Sequence, residues 1–184
     1  MEKEITAIRA QKRNPARVNI YLDGEYAFAL ARISAAWLTV GLKIDEKAIE
    51  RLRSQDEVEQ AYQKALHYLS FRPRSEQEVL DSLTAKGFSE TLAQTTVMRL
   101  KDERLLGDER FSHTWIENRS TFRPRSQRML RYELLQKGVN EDTIQQALAD
   151  ADIDEEELAY KAGLSKASKV NTRSEEHTSE LQSQ

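Results

Sequence analysis

This 184-residue chain has no cysteine, three prolines and six scattered glycines, and nowhere does it hold eighteen apolar residues in a row. The missing cysteine excludes disulfides, a thiolate zinc site and a cysteine nucleophile. The glycines are too dispersed for a G-x-G-x-x-G turn or a P-loop, so no nucleotide-hydrolysis site is expected in the chain itself. The missing apolar run leaves no candidate membrane-spanning helix. The start, Met1-Glu2-Lys3-Glu4, carries no apolar signal region, and a cytoplasmic location is expected. Histidine is scarce too. Before residue 173 there are only His67 and His113, each inside a helical pattern and without H-E-x-x-H spacing, so a solvated or core-edge role is expected for both. Carboxylates are plentiful but spread over helix faces. No catalytic constellation, cofactor or metal site is expected, and the chain is read as a non-enzyme.

Charge is abundant, 32% of residues, and it is segregated. Residues 64–139 carry fourteen Lys/Arg against ten Asp/Glu, while residues 140–172 carry three against eight. A basic middle followed by an acidic stretch suits an electrostatic partner, although ordinary solvated helix faces produce the same imbalance.

The most informative presence is a repeat. Phe71-Arg72-Pro73-Arg74-Ser75 returns 51 residues later as Phe122-Arg123-Pro124-Arg125-Ser126. Leu83, Lys86, Gly87 and Glu90 then match Leu134, Lys137, Gly138 and Glu141, nine identities in 20 positions without a gap. Self-similarity at this period points to tandem helical modules.

Residues 1–30 alternate in the β manner, with Ile5, Ala7 and Arg9, then Val18, Ile20 and Leu22, then Tyr26, Phe28 and Leu30. Asp23-Gly24 between alternating runs predicts a tight hairpin within a three-stranded antiparallel sheet. Arg32 to Leu38 reads as a short helix broken by Gly41. From Asp45 the pattern is helical. Ser54 with Glu57 reads as a capping box before the stripe Val58, Ala61, Tyr62, Ala65, Leu66 and Leu69. Pro73 stops that helix near Ser70. Ser75 with Glu78 is a second capping box, Val79, Leu80 and Leu83 face inward, and Gly87 supplies a left-handed stop after Lys86. Leu92, Val97 and Leu100 carry the next helix, and Gly107-Asp108 makes a turn and cap.

The second module repeats this plan. Phe111, Trp115 and Ile116 mark its first helix, both aromatics being assigned to the core. Arg123-Pro124-Arg125 is its elbow, Ser126 its cap, Leu130 and Leu134 lead to Gly138, and Ile144 and Leu148 form its third helix. Met129 stands where Glu78 closed the earlier box. Glu156, Leu158 and Ala159 look like the opening of a third module.

Arg173-Ser-Glu-Glu-His-Thr-Ser-Glu-Leu-Gln-Ser183 reads, for eleven consecutive residues, as the in-frame translation of a widely used sequencing-library adapter. It is set aside as a non-native tail, expected to be disordered, with the natural C-terminus lost near Thr172. The expected organisation is a β-rich leader at 1–44, a first three-helix repeat with its lead-in helix at 45–104, a second at 105–152, a truncated third at 153–172 and the tail at 173–184. The fold class is mainly α: tandem three-helix, helix-turn-helix-like modules behind a small antiparallel sheet.

The elbows are the candidate site. Proline fixes the backbone at each helix junction and splays the flanking arginines, whose forks suit carboxylate or phosphate. Arg72, Arg74, Arg123, Arg125, Arg128 and Arg131 are the partner-binding candidates, able to line one continuous surface. The structural alternative is that they cap helix carbonyls or bridge to Glu76 and Glu78.

Ala65-Leu-His-Tyr-Leu-Ser-Phe-Arg-Pro-Arg-Ser75, Leu83-Thr-Ala-Lys-Gly-Phe88, Leu105-Leu-Gly-Asp-Glu-Arg-Phe111 and Tyr132-Glu-Leu-Leu-Gln-Lys-Gly138, in that order and spacing, resemble the RecX family of recombination regulators. The resemblance covers roughly 58–160, and the N-terminal hairpin resembles the leader of some members. It implies tandem three-helix repeats, and a protein that lies along the RecA filament and suppresses its ATPase, strand exchange and growth. The implied partner is the RecA filament, with contact to the DNA inside it left open. No membrane or small-molecule substrate is expected, and a monomer is. Two rivals stay open: a nucleic-acid-binding helical module using the basic junctions, and a plain helical scaffold for another protein.

Overall fold

A computed structural model describes residues 2–123 and 125–151, together with Tyr160 and Gly163. Pro124, most of the third module and the tail at 173–184 lie outside the described residues.

Strands β1 (Lys3–Ala10), β2 (Arg17–Leu22) and β3 (Glu25–Ala31) form the meander that alternation predicts. Asp23 and Gly24 turn the β2–β3 hairpin at φ 51° and 90°, the positive values a type I′ turn needs. The sheet has a fourth strand, β4 (Lys43–Ile44), paired antiparallel with β1 in the order β3-β2-β1-β4. Two residues are too few to alternate, so the three-stranded expectation is corrected to four. The expected helix at 32–38 is also absent. That segment is a chain of turns, with Ala35 N–H on Ala31 O at 3.1 Å and Leu38 N–H on Ala35 O at 3.0 Å, which lays Ala35 and Leu38 into the sheet core.

Helix α1 (Glu46–Leu69) is continuous for 24 residues. Its cap is Asp45, whose carboxylate accepts from Ala48 N–H at 2.7 Å. Ser54 is mid-helix, so the expected capping box there is not formed. The helix runs on because its two halves serve two cores. Ile49 and Leu52 pack on the sheet, while Ala61, Tyr62 and Ala65 pack on the helices that follow. Asp56 lies between, buried, accepting from Arg17 Nη2 at 2.7 Å and from Ala31 N–H at 2.7 Å. It ties the sheet's end to the helix.

Helices α2 (Glu76–Thr84) and α3 (Glu90–Asp102) complete the first three-helix unit with the second half of α1. The box predicted at Ser75 and Glu78 is present in both directions. Gly87, at φ 89°, ends α2 with Phe88 N–H reaching back to Leu83 O. Helices α4 (Asp108–Phe122), α5 (Gln127–Gln136) and α6 (Glu141–Asp150) form the second unit around Phe111, Ile116, Leu130, Leu134 and Ile144. Gly138, at φ 77°, repeats the stop, with Val139 N–H on Leu134 O. The architecture is therefore mainly helical, two tandem three-helix units behind a four-stranded antiparallel sheet. Three separate apolar clusters underlie it, one per unit and one for the sheet.

Candidate functional site: two arginine elbows

The first elbow is the short non-helical junction 70–75 between α1 and α2; at the second, Arg123, Arg125 and Ser126 are non-helical and link α4 to α5. At the first, Arg72 is not free for a partner. Its guanidinium grips Glu78 with Nη2–Oε1 at 2.9 Å and Nη1–Oε2 at 3.2 Å, and Nη1 also donates to Pro73 O. Arg74 lies with its guanidinium 4.0 Å above the Tyr68 ring, its Nε buried without a hydrogen-bond partner among the described residues. The bridge to Glu78 that sequence offered as the structural alternative is thus formed by Arg72.

Glu78 has a second partner. Lys137, from the second unit, donates to Oε1 at 2.7 Å. Around it the two units are joined by polar contacts. Ser75 Oγ donates to Lys137 O at 2.6 Å and Asp108 Oδ1 accepts from Glu76 N–H at 2.9 Å, while within the first unit Lys101 Nζ donates to Glu76 Oε2 at 2.7 Å. Asp108 was expected to cap its own helix. Instead it reaches across to the N-terminus of α2, and burial pushes its carboxyl up, against that hydrogen bond. A groove of about 440 Å³ runs between the units along the first elbow, bordered by Phe71, Arg72, Arg74, Leu105 and Arg110.

The second elbow is built differently. Ser126 occupies the N-cap position but its side chain makes no capping hydrogen bond. With Met129 three residues on, there is no carboxylate to close a box. Arg123 is the C-cap of α4 and exposed, and Arg128 is exposed on α5; neither forms an ion pair among the described residues. Arg125 Nε stands 4.0 Å from Glu133 Oε1. Arg131 is held by Glu141, Nε to Oε1 at 2.6 Å, which lowers the glutamate's pKa.

Sequence reasoning missed Arg119. It lies over the Trp115 ring at 4.6 Å and donates to Glu133 Oε2 at 2.8 Å, the oxygen that Trp115 Nε1 also reaches at 2.9 Å. A small cavity of about 220 Å³ touches Arg72, Phe111, Trp115 and Arg119, so the first elbow borders the face of α4 that carries Arg119. Trp115 is half-buried and Phe111 is core. The signal for Arg119 was in the repeat, since it occupies the position of Tyr68. His67 packs edge-on against Phe71, and His113 faces Asp150 at 3.6 Å. No cluster able to hold a metal, and no helix long and apolar enough to cross a membrane, is found among the described residues.

These features define a tandem three-helix repeat protein with arginine-bearing junctions and a small β leader. Family models match in the same order: the regulatory protein RecX N-terminal domain at 3–45, the RecX first three-helix domain at 61–100 and the RecX second three-helix domain at 108–148. The chain is 36% identical over 168 residues to regulatory protein RecX of Halalkalibacterium halodurans, covering 88% of this chain and 63% of that one. It is 33% identical over 161 residues to that of Clostridium perfringens, covering 86% and 75%. A crystal structure of regulatory protein RecX superposes with TM-score 0.71 at 30% identity, over 89% of this chain and 81% of that chain. RecX from Lactobacillus salivarius shares the fold, with TM-score 0.54 at 23% identity, over 65% of this chain and 75% of that one. The chain belongs to the RecX family of regulatory proteins. It spans 63 and 65% of the length of its relatives from H. halodurans and Geobacillus.

Proposed function

We propose that this chain binds the RecA filament in the cytoplasm as a monomer and lowers its ATPase and recombinase activity, with the arginine elbows as its contact surface. The observation that carries this reading is the repeated Arg-Pro-Arg elbow, 51 residues apart on two tandem units of a RecX-family chain. A spaced, repeated cationic feature fits a partner that is itself long and repetitive. Arg123, Arg125 and Arg128 are the primary candidates, Arg72 and Arg131 being engaged within the chain. The test is RecA ATPase on single-stranded DNA, titrated with the purified chain. Falling ATPase at substoichiometric amounts is expected, and unchanged ATPase up to one protein per RecA would sink the reading.

A further inference from the structure

The two elbows occupy the same place in their repeats and are chemically opposite. Over 72–82 the first sets two arginines against three carboxylates; over 123–133 the second sets four arginines against one. The decisive exchange is Glu78 for Met129. At the first elbow Glu78 closes the capping box, holds Arg72 in both prongs of its carboxylate and receives Lys137. Among the described residues nothing does this at the second elbow. Met129 is 42% exposed, and Arg123 and Arg128 have no ion pair among the described residues. Glu133 is engaged through Oε2 by Arg119 and Trp115, and its Oε1 stands 4.0 Å from Arg125, a long contact that leaves the Arg125 side chain half exposed. Phe122, the residue before Arg123, is 77% exposed.

We propose that the second elbow is a single-stranded nucleic-acid site, with Arg123, Arg125 and Arg128 on backbone phosphates and Phe122 under a base. It rests on the preceding reading only in placing the partner contact at an elbow. Three guanidinium groups within six residues match a backbone that carries one phosphate per nucleotide. The exposed phenyl ring selects the source of the phosphates. A base offers it a π-face to stack on, an acidic peptide does not, and a duplex keeps its base faces covered. The first elbow, its Arg72 neutralised by Glu78 and its Arg74 laid over Tyr68, is then the joint between units, and the second is the contact.

The test is fluorescence anisotropy of a labelled oligothymidylate with the whole chain and no RecA. The variant R123Q/R125Q/R128Q should bind about tenfold more weakly, and its log–log salt dependence should be shallower by about 2, three lost contacts at roughly 0.7 each. F122A should weaken binding about fivefold and leave the salt slope alone. Met129→Glu is the sharpest variant, and it stands in should the triple change fail to fold. It supplies the carboxylate of the first elbow, so it should raise the melting temperature by completing the box with Ser126 while weakening oligothymidylate binding. Binding by R123Q/R125Q/R128Q or Met129→Glu equal to that of the unmodified chain overturns the proposal. So does tighter binding of a duplex, or competition by poly-glutamate as strong as by unlabelled oligothymidylate. RecA ATPase run in parallel separates this from the preceding reading. Oligothymidylate binding without ATPase inhibition leaves the site standing and removes the regulator; inhibition without binding does the reverse.

Discussion

Lys137 reaches from the second three-helix unit to Glu78 in the first, 59 residues away in sequence, and their charged atoms stand 2.7 Å apart. The same carboxylate accepts from Ser75 N–H at the start of α2 and from both terminal nitrogens of Arg72. One glutamate thus caps the start of a helix, immobilises an elbow and links two repeats.

Glu78 should therefore give stability a definite pH signature. Burial pushes its carboxyl up, but hydrogen bonds from Arg72 and Lys137, with the lysine's charge, outweigh that and hold it at about 2, against 4.5 ordinarily. A lowered pKa adds stability that is fully present above the ordinary value and is lost as pH falls toward the folded one. E78Q should cost about 2 kcal/mol near pH 7, as expected for hydrogen bonds to a charged group. The gap between the two proteins should narrow as pH falls from about 5 toward 2. Urea denaturation across that range checks it, and a gap that stayed constant would show that Glu78 acts without its charge.

The two left-handed glycines should respond unequally. Gly87→Ala meets open space and should cost only the backbone strain, about 1 kcal/mol. At Gly138 an added Cβ would stand 2.7 Å from Gln77 Cγ, and closer still to its Cβ, in the neighbouring unit. Gly138→Ala should therefore cost at least about twice as much, since overpacking adds its own penalty of 1–3 kcal/mol. Equal losses in denaturant midpoint would place the contact with Gln77 outside the folded ensemble.

Asp56→Ala should be among the most damaging single changes. It strands Arg17 and leaves Ala31 N–H without its acceptor, where Asp56 itself is only 3% exposed. Removing one partner of a buried pair costs about 3 kcal/mol or more. Thermal denaturation gives the answer, and a loss below about 1 kcal/mol would contradict the role of this carboxylate as a tie between sheet and helix.

The arginines should divide into two groups by stability. R72A should destabilise measurably, by about 1 kcal/mol, because it unmakes a charge-assisted pair at a helix start. R123A and R128A, exposed and unpaired among the described residues, should fall within about 0.5 kcal/mol of the unmodified chain. Comparable losses at Arg72 and Arg128 would mean that both elbows are structural.

Local chemistry made much of this fold legible. Asp23-Gly24, the Ser75–Glu78 box and the stops at Gly87 and Gly138 each require a particular residue for a backbone reason, and each is where the sequence placed it. What escaped was set by distant partners. Ser54 and Glu57 have the spacing of a capping box, yet α1 runs through them because Leu52 and Ala61 are buried in two different cores. Asp108 opens α4, where a cap was expected, and serves the start of α2 instead. The weaker second cap, by contrast, was legible: Met129 stands where Glu78 closes the box, and Ser126 makes no side-chain capping bond. The elbow arginines were visible as a set. The Arg72–Glu78 bridge was one of the alternatives the sequence offered, whereas the engagement of Arg125 and Arg131 depended on Glu133 and Glu141, brought up by the fold of α5 and α6.

The long first helix has a consequence for how the molecule comes apart. Because α1 is shared, the sheet and the first unit cannot lose their cores independently; melting one frays the rod that carries the other. No such rod joins the second unit, whose apolar cluster is its own and whose attachment is a handful of polar contacts, Lys137 with Ser75 and Glu78 and Asp108 with Glu76. Unfolding should then proceed in two cooperative blocks, one reaching from β1 to α3 and the other from α4 to α6. Amide protection in α4–α6 should fall at lower denaturant than in α1, and acid, which discharges Glu78, should widen that interval.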